Sequence, residues 1–525
     1  MTDRTYAIPR AASPEEVGVS SAAIAGFIRD CEENGIENHS FMVIRHGKVA
    51  YEAWRKPYSA DIPHTMYSVS KSIIAIAAGF AVSEGLITTD TRLVDVFPEY
   101  RPEKPDEALE AITLHSLMTM TAGKNVSLLA DKTSKHWVRD FVETKQSYFP
   151  GKSWSYISEN TYCVAAMLSR LSGMTVTEYL KPRLYEPLGI TSHQWERDTS
   201  GIEVGGWGLF LKTEDLAKIA LCCLNGGKFN GKQIIPREWI ALAASNHTEG
   251  IENSPEAGYG YFIWRCDCDE STYRFDGMFS QFAIMFEKYD AVVVMTDNEI
   301  NEAKTLACFW QHFPEAFFDG EAPKAVDIPA FSVLDEVKLG TRQTDLEEHI
   351  SQKTIKLSNN PIVSLSGYPL SVLTFPAVYM SADKAGPMDN IKLKFYEDEC
   401  TMYWTEGDES NIIHIGLDGI PRKSRITLGK LKYTTSSTAA WLDKNVLEIR
   451  IRPLETVCQR VLRFTFKGNS VTLEPSSMPH LSYLSEELEP TVQNMMSGQA
   501  PHAMIRLVFL NAYKLLDAAH HGKLI

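Results

Sequence analysis

Met66-Tyr67-Ser68-Val69-Ser70-Lys71-Ser72 leads without a break into Ile73-Ile74-Ala75-Ile76-Ala77-Ala78-Gly79-Phe80-Ala81-Val82. The second run is apolar all round, so it predicts a helix buried inside a domain, with Ser68 and Lys71 at its mouth. Positions i and i+3 share a helix face, which brings the Lys71 amine within reach of the Ser68 hydroxyl. Burial disfavours the charged ammonium, and a neutral amine beside a hydroxyl can serve as its base. The stretch therefore points to a serine nucleophile and acyl-transfer chemistry.

Ser-x-x-Lys alone is a cheap pattern, expected about once or twice by chance in a chain of this length. Ser381-Ala382-Asp383-Lys384 repeats it, with Tyr379 just ahead, but runs into Ala385-Gly386-Pro387, where no helix can hold the lysine against the serine. A serine-lysine pair also needs a proton relay. Tyr156 offers one in Trp154-Ser155-Tyr156-Ile157-Ser158, which follows Phe149-Pro150-Gly151-Lys152 and leads into a helical pattern. Tyr-x-Ser recurs at Tyr379-Met380-Ser381 and Tyr483-Leu484-Ser485, so Tyr156 by itself reads equally as a packing residue.

The remaining chain bounds the problem. At 525 residues two domains are expected. A net charge of -15 with no basic patch argues against a nucleic-acid partner. Met1-Thr2-Asp3-Arg4-Thr5-Tyr6-Ala7-Ile8-Pro9-Arg10 shows no apolar signal-peptide core, and no apolar run reaches membrane-spanning length. Nine scattered cysteines fit reduced thiols in the cytoplasm better than a disulfide framework. Cys266-Asp267-Cys268 lacks a second Cys/His pair nearby, so neither a metal nor a cofactor is expected.

Phe41 to Ile44, His46-Gly47-Lys48 and Val49 to Glu52 predict a hairpin, preceded by a helix from Ser20 or Ser21 to Glu33. Glu84-Gly85 is the stop signal of the apolar helix. Helical patterns follow at Leu114 to Met120, Thr161 to Leu171 and Thr213 to Leu224. Strand patterns return at Gly260 to Trp264, Gln281 to Phe286 and Ala291 to Met295. Strands at both ends with helices between predict one sheet built from N- and C-terminal segments, an α+β domain over residues 1–322. Beyond Glu321-Ala322-Pro323-Lys324, Ile391 to Phe395, Val446 to Ile451, Leu462 to Phe466 and Val471 to Leu473 alternate with period two. They predict a small all-β barrel or sandwich over residues 323–525, closed by a packing helix from Met504 to Ala519.

With Ser68, Lys71 and Tyr156 placed, the chain over about residues 12 to 300 resembles the serine β-lactamase and penicillin-binding-protein-like hydrolases. The class C-related esterases and 6-aminohexanoate-dimer hydrolases are the most similar branch. Glu84-Gly85-Leu86-Ile87, the run Ile112 to Gly123, Ser172-Gly173 and Glu186-Pro187-Leu188-Gly189-Ile190 match in the family's order. So do Gly205-Gly206-Trp207-Gly208, Thr213 to Ala217 and Leu224-Asn225-Gly226-Gly227. The resemblance implies a β-lactamase/transpeptidase-like fold with Ser68 as nucleophile, Lys71 as its base and Tyr156 as acid/base. Ser158 stands where many relatives carry asparagine, a substitution typical of the dimer-hydrolase branch.

The family's third element, Lys-Thr-Gly or His-x-Gly on an edge strand, falls on Phe275-Asp276-Gly277, where only the glycine matches. By the same resemblance the backbone amides of Ser68 and Met278 form the oxyanion hole, and Trp264 lines the substrate with Ser158, Phe275, Asp276 and Gly277. Plain strand packing explains Trp264 as well. The C-terminal domain resembles the lipocalin-like barrel appended to some relatives. Asp276 in place of a cation opposes an anionic substrate, which argues against efficient β-lactam hydrolysis. The expected substrate is a small carboxylic ester or amide. D-amino-acid amidase, peptidase or β-lactamase activity in the same fold, and a catalytically silent ligand-binding homologue, are the alternatives. Oligomeric state is left open.

Overall fold

The computed structural model describes residues 7–104, 106–125, 136–198, 200–334, 339–358, 388–457, 459–478, 480 and 517–525. The chain divides into two units, Met1–Ser332 and Val333–Ile525. The boundary lies later than the composition change suggests, because the segment after Lys324 is strapped to the first unit. The Val326 amide donates to Ser21 Oγ over 2.9 Å, Ser332 Oγ donates to Glu32 Oε2 over 2.8 Å, and Phe331 is buried under the Arg55 guanidinium.

In the first unit Ser20 caps helix α1 (Ser21–Glu33) by accepting from the Ala23 amide. The hairpin forms as β1 (Asn38–Arg45) and β2 (Lys48–Trp54), with His46 and Gly47 both at positive φ in its turn. Helix α2 (Val69–Ser83) is buried along nearly its whole length and stops before Gly85, whose φ of 71° no other residue adopts as cheaply. Helices α3 (Ser158–Ser172) and α4 (Thr213–Leu224) follow. Strands β3 (Trp264–Arg265), β4 (Tyr273–Gly277), β5 (Gln281–Phe286) and β6 (Ala291–Asp297) then lead to helix α5 (Glu302–Phe309).

Two expectations are corrected locally. The strand expected over Gly260 to Trp264 is a loop up to its last residue, because Phe262 takes a φ of 54° and gives its amide to the Met118 carbonyl. The helix expected to Met120 ends at Met118, and Met120 itself has a φ of 60°. Residues 481–516, which hold most of the expected C-terminal helix and the Tyr483-Leu484-Ser485 copy, lie outside the described residues. So do Tyr379 and Ser381 to Lys384. Asp517 to Ala519 are turn and coil before a strand, His520–Leu524.

The sheet of the first unit has the antiparallel order β2-β1-β6-β5-β4-β3. Phe41 faces Met295 and Val43 faces Val293, so the N-terminal hairpin is zipped to the last strand. On one face, α1 and α5 bury Phe27, Phe309 and Phe313 against Phe41, Phe282 and Ile284. Phe27 and Phe41 lie 4.8 Å apart and Phe309 stacks on Phe313 at 4.7 Å, the offset and tilted contacts that aromatic rings favour. On the other, α4 packs on β5 and β6 and α2 on β4. Ser40 Oγ on β1 meets Thr213 Oγ1 at the start of α4 at 2.8 Å.

In the second unit, alternation does what the sequence requires. Ile391 and Leu393 are buried while Lys392 and Lys394 face out, and Val471, Leu473 and Pro475 are buried in the same alternation along Ser470–Met478. The described strands form a ten-stranded sheet that closes on itself, Gly416 of strand Glu409–Gly416 bridging Thr438 of strand Leu431–Asp443. Trp404, Tyr433, Leu447, Phe464 and Leu473 fill its interior.

Candidate active site

The segment that carries Ser68 is fixed before the helix begins. His64–Thr65 pairs with Leu209–Leu211, the Met66 amide donates to the Leu209 carbonyl over 2.8 Å, and Tyr67 is held at a φ of 42°. A bulky residue forced into the left-handed region marks stored strain, and here it turns the chain so that Ser68 heads α2. Tyr67 and Phe279 rings lie 5.1 Å apart, tying this bend to the turn after β4.

Lys71 Nζ lies 2.8 Å from Ser68 Oγ and donates to the Gly206 carbonyl over 2.7 Å. The side chain is 1% exposed. Burial lowers its proton affinity to about 7, against the opposing pull of Glu159, Asp276 and Glu302. Gly206 can approach because it has no Cβ: one there would come within 2.9 Å of Ser158 Cβ at the start of α3. Ser158 is thus beside the carbonyl that receives Lys71.

Tyr156 stands on the other side of the pair. Its ring lies under the lysine, with Nζ 4.9 Å from the centroid. Burial raises its proton affinity, Asp276 and Glu302 raise it further, and Ser68 opposes them. The phenol therefore keeps its proton at neutral pH, as a donor to a leaving group must. Trp154, Tyr259 and Trp264 continue the wall. Trp264 is half-buried, 5.5 Å from Tyr156 and 5.1 Å from Tyr259, so it lies in this cluster rather than in a closed core.

The turn after β4 completes the site. A Cβ on Gly277 would overlap the Met66 carbonyl oxygen and lie 3.1 Å from the Val69 amide, so only glycine lets β4 approach the serine segment this closely. Phe279 and Ser280 both take a φ of 63°. Gln281 Nε2 pins the turn by donating to the carbonyls of Phe279 and Asp297, each at 2.8 Å. Met278 follows Gly277 in this turn, its carbonyl accepting from Gln281 Nε2 over 3.3 Å.

Of the residues expected here, Ser68, Lys71, Tyr156, Ser158, Trp264, Asp276 and Gly277 lie together. Phe275 does not: it has no exposed surface, since alternation along β4 turns Tyr273 and Phe275 into the core and Arg274 and Asp276 the other way. Sequence reasoning missed Arg274. Arg274 Nε donates to Asp276 Oδ2 over 2.7 Å, with its guanidinium 5.5 Å over the Trp264 ring. Its two-residue spacing from Asp276 was the readable signal. The charge of Asp276 is thus balanced by a neighbour and does not confront a substrate alone.

The model of the family described as Beta-lactamase matches residues 24–304, just over half of the 525 residues. The chain belongs to the beta-lactamase family. It is a serine hydrolase of the β-lactamase fold. It is 23% identical over 308 residues to the 6-aminohexanoate-dimer hydrolase of Paenarthrobacter ureafaciens, covering 54% of this chain and 79% of that one. It is 26% identical over 209 residues to Esterase EstB of Burkholderia gladioli, covering 35% and 53%. Among solved structures, a penicillin-binding protein homolog from Caulobacter crescentus superposes with a TM-score of 0.47 at 14% identity, covering 56% and 99%.

Proposed function

We propose that the first unit hydrolyses a small, uncharged carboxylic ester or amide through an acyl-enzyme on Ser68. The observation that carries this is the 2.8 Å contact between Lys71 Nζ and Ser68 Oγ, made by an amine whose proton affinity burial has lowered to about 7. Neutral Lys71 takes the Ser68 hydroxyl proton as Oγ attacks the substrate carbonyl carbon. The oxyanion then accepts from the Ser68 and Met278 amides, donors that typically supply a few kcal/mol. Tyr156 gives its proton to the departing alcohol or amine as the C–O or C–N bond breaks, and recovers one from Lys71. In deacylation a water loses its proton to the same relay, attacks the acyl carbon, and Ser68 leaves as the hydroxyl.

The pairing of Arg274 with Asp276 leaves this side of the site without net charge, which favours uncharged substrates over anionic ones. A p-nitrophenyl ester series, a panel of D-amino-acid amides and nitrocefin, read with wild type and Ser68→Ala, tests the proposal. Ester or amide turnover lost in Ser68→Ala, with an acyl adduct seen by intact mass only in the wild type, is the expected result. Retention of activity in Ser68→Ala would overturn it.

A further inference from the structure

Trp264 on β3 is the cross-strand partner of Arg274 on β4, so the two side chains stand side by side on one face of the sheet. The guanidinium lies 5.5 Å over the indole, Nε donates to Asp276 Oδ2 over 2.7 Å, and Nη1 donates to the Arg265 carbonyl over 3.2 Å. A planar cation makes these contacts together, because its donors lie in its plane and its stacking surface lies across it. The same indole is flanked by Tyr259 at 5.1 Å, Tyr156 at 5.5 Å and Trp154 at 5.7 Å. Arg274 therefore joins two features of the site, the aromatic wall and the carboxylate of Asp276.

Both charges of this ion pair border the reacting groups. Asp276 directly precedes Gly277, which lies against the Met66 carbonyl and the Val69 amide on either side of Ser68. Tyr156, the neighbour of Trp264, lies 4.9 Å from Lys71 Nζ. The ion pair and the Ser68–Lys71 pair are thus two edges of one aromatic wall. The side chains of Arg274 and Asp276 are only 14% and 8% exposed, so solvent and salt screen them little. Either charge left alone would act strongly on a charged group bound beside it, and paired they cancel. The wall reads as neutral because of a balance between two residues, and removing one of them fixes the sign of what remains.

We propose that Arg274 is a specificity-determining residue, whose pairing with Asp276 beside Trp264 sets the charge of the substrate group that this wall accepts. This rests on the reading of Ser68 as the nucleophile of an ester or amide hydrolase. The test compares kcat/KM for three p-nitrophenyl esters of similar size, the uncharged butyrate, the anionic hemisuccinate and the cationic 4-(trimethylammonio)butyrate. Wild type is expected to favour the butyrate over both charged esters. Arg274→Gln leaves the carboxylate uncompensated and is expected to raise the cation-to-anion ratio of kcat/KM about tenfold. Asp276→Asn leaves the guanidinium uncompensated and is expected to lower that ratio by a similar factor. Arg274→Gln with Asp276→Asn should return it to the wild-type value. A general loss of structure slows all three esters alike and does not move the ratio, and where one single variant does not fold the other decides. A ratio within about twofold of wild type in the single variants, or moved in the same direction by both, would overturn the proposal while leaving the role of Ser68 intact. A wild type that favours either charged ester over the butyrate would overturn it as well. Activity surviving in Ser68→Ala, by contrast, removes the reading on which it rests.

Discussion

Gly277 lies directly against the Met66 carbonyl, with no room between them for a side chain. The atoms in the way belong to backbone, so the overlap cannot be relieved by rotating a neighbour. Gly277→Ala is expected to push β4 and the Met278 amide away from Ser68 and to lower kcat on p-nitrophenyl acetate about 100-fold, the scale of losing one oxyanion donor. A melting curve recorded beside the kinetics should show a smaller effect, because the sheet behind Gly277 remains paired. A kcat within a few-fold of wild type would remove this turn from the oxyanion site.

Lys71 is a destabilising residue. Its proton affinity lies near 7 in the fold against 10.5 for an ordinary lysine, so between those values the unfolded chain binds more protons and stability rises with pH. Lys71→Met is therefore expected to gain stability in guanidinium unfolding at pH 7. The gain should shrink toward pH 10 at up to about 1.4 kcal/mol per pH unit. The same substitution should abolish turnover. A gain that does not vary with pH would mean that Lys71 is charged in the fold.

Tyr156 supplies both a ring beside Trp264 and a phenolic proton. Tyr156→Phe keeps the first and removes the second, so KM should stay within about threefold while kcat falls by roughly 100-fold or more. The loss should be larger for amides than for p-nitrophenyl esters, whose leaving group departs without help. Equal losses on both would assign the tyrosine to acylation rather than to leaving-group protonation.

His64 sits four residues ahead of Ser68 with its Nδ1 3.0 Å from the Thr65 carbonyl and its Nε2 2.9 Å from His39 Nδ1. The carbonyl can only accept, so His64 carries its proton on Nδ1 and accepts from His39. Burial and the His39 charge push its proton affinity down to about 3. Below its ordinary value of 6.5 the unfolded chain takes up a proton that the fold refuses, so stability falls as pH drops from 6.5 toward 3. His64→Gln should flatten that fall, measured by urea unfolding at pH 6.5 and 5. An unchanged slope would place the acid sensitivity elsewhere.

Much of this was readable in the residues themselves. The apolar run behind Lys71 announced a buried helix, the Phe41 to Glu52 hairpin and the Ala291 to Met295 strand announced a shared sheet, and alternation announced the barrel. What escaped was set by tertiary approach. Arg274 shows only its two-residue spacing from Asp276, because its place over the Trp264 ring depends on how β3 pairs with β4. Phe275 was assigned to the substrate from its place in a motif, although period-two alternation already put it on the face opposite Asp276. The strand expected at Gly260 failed at Phe262, whose left-handed backbone is imposed by the bond to Met118 and is invisible in a run of aromatic and β-branched residues.

The pairing of β1 with β6 has a consequence for how the protein is made. The hairpin leaves the ribosome early, yet the strand that covers its edge is among the last parts of its unit to be synthesised. Until then the edge of β1 that faces away from β2 has no partner, the kind of long-range closure that folds slowly and invites association with other chains. The barrel that follows closes almost entirely between sequence neighbours. Nascent chains stalled shortly before Ala291 should therefore engage chaperones heavily, and release should coincide with the arrival of the final strand rather than with completion of the barrel.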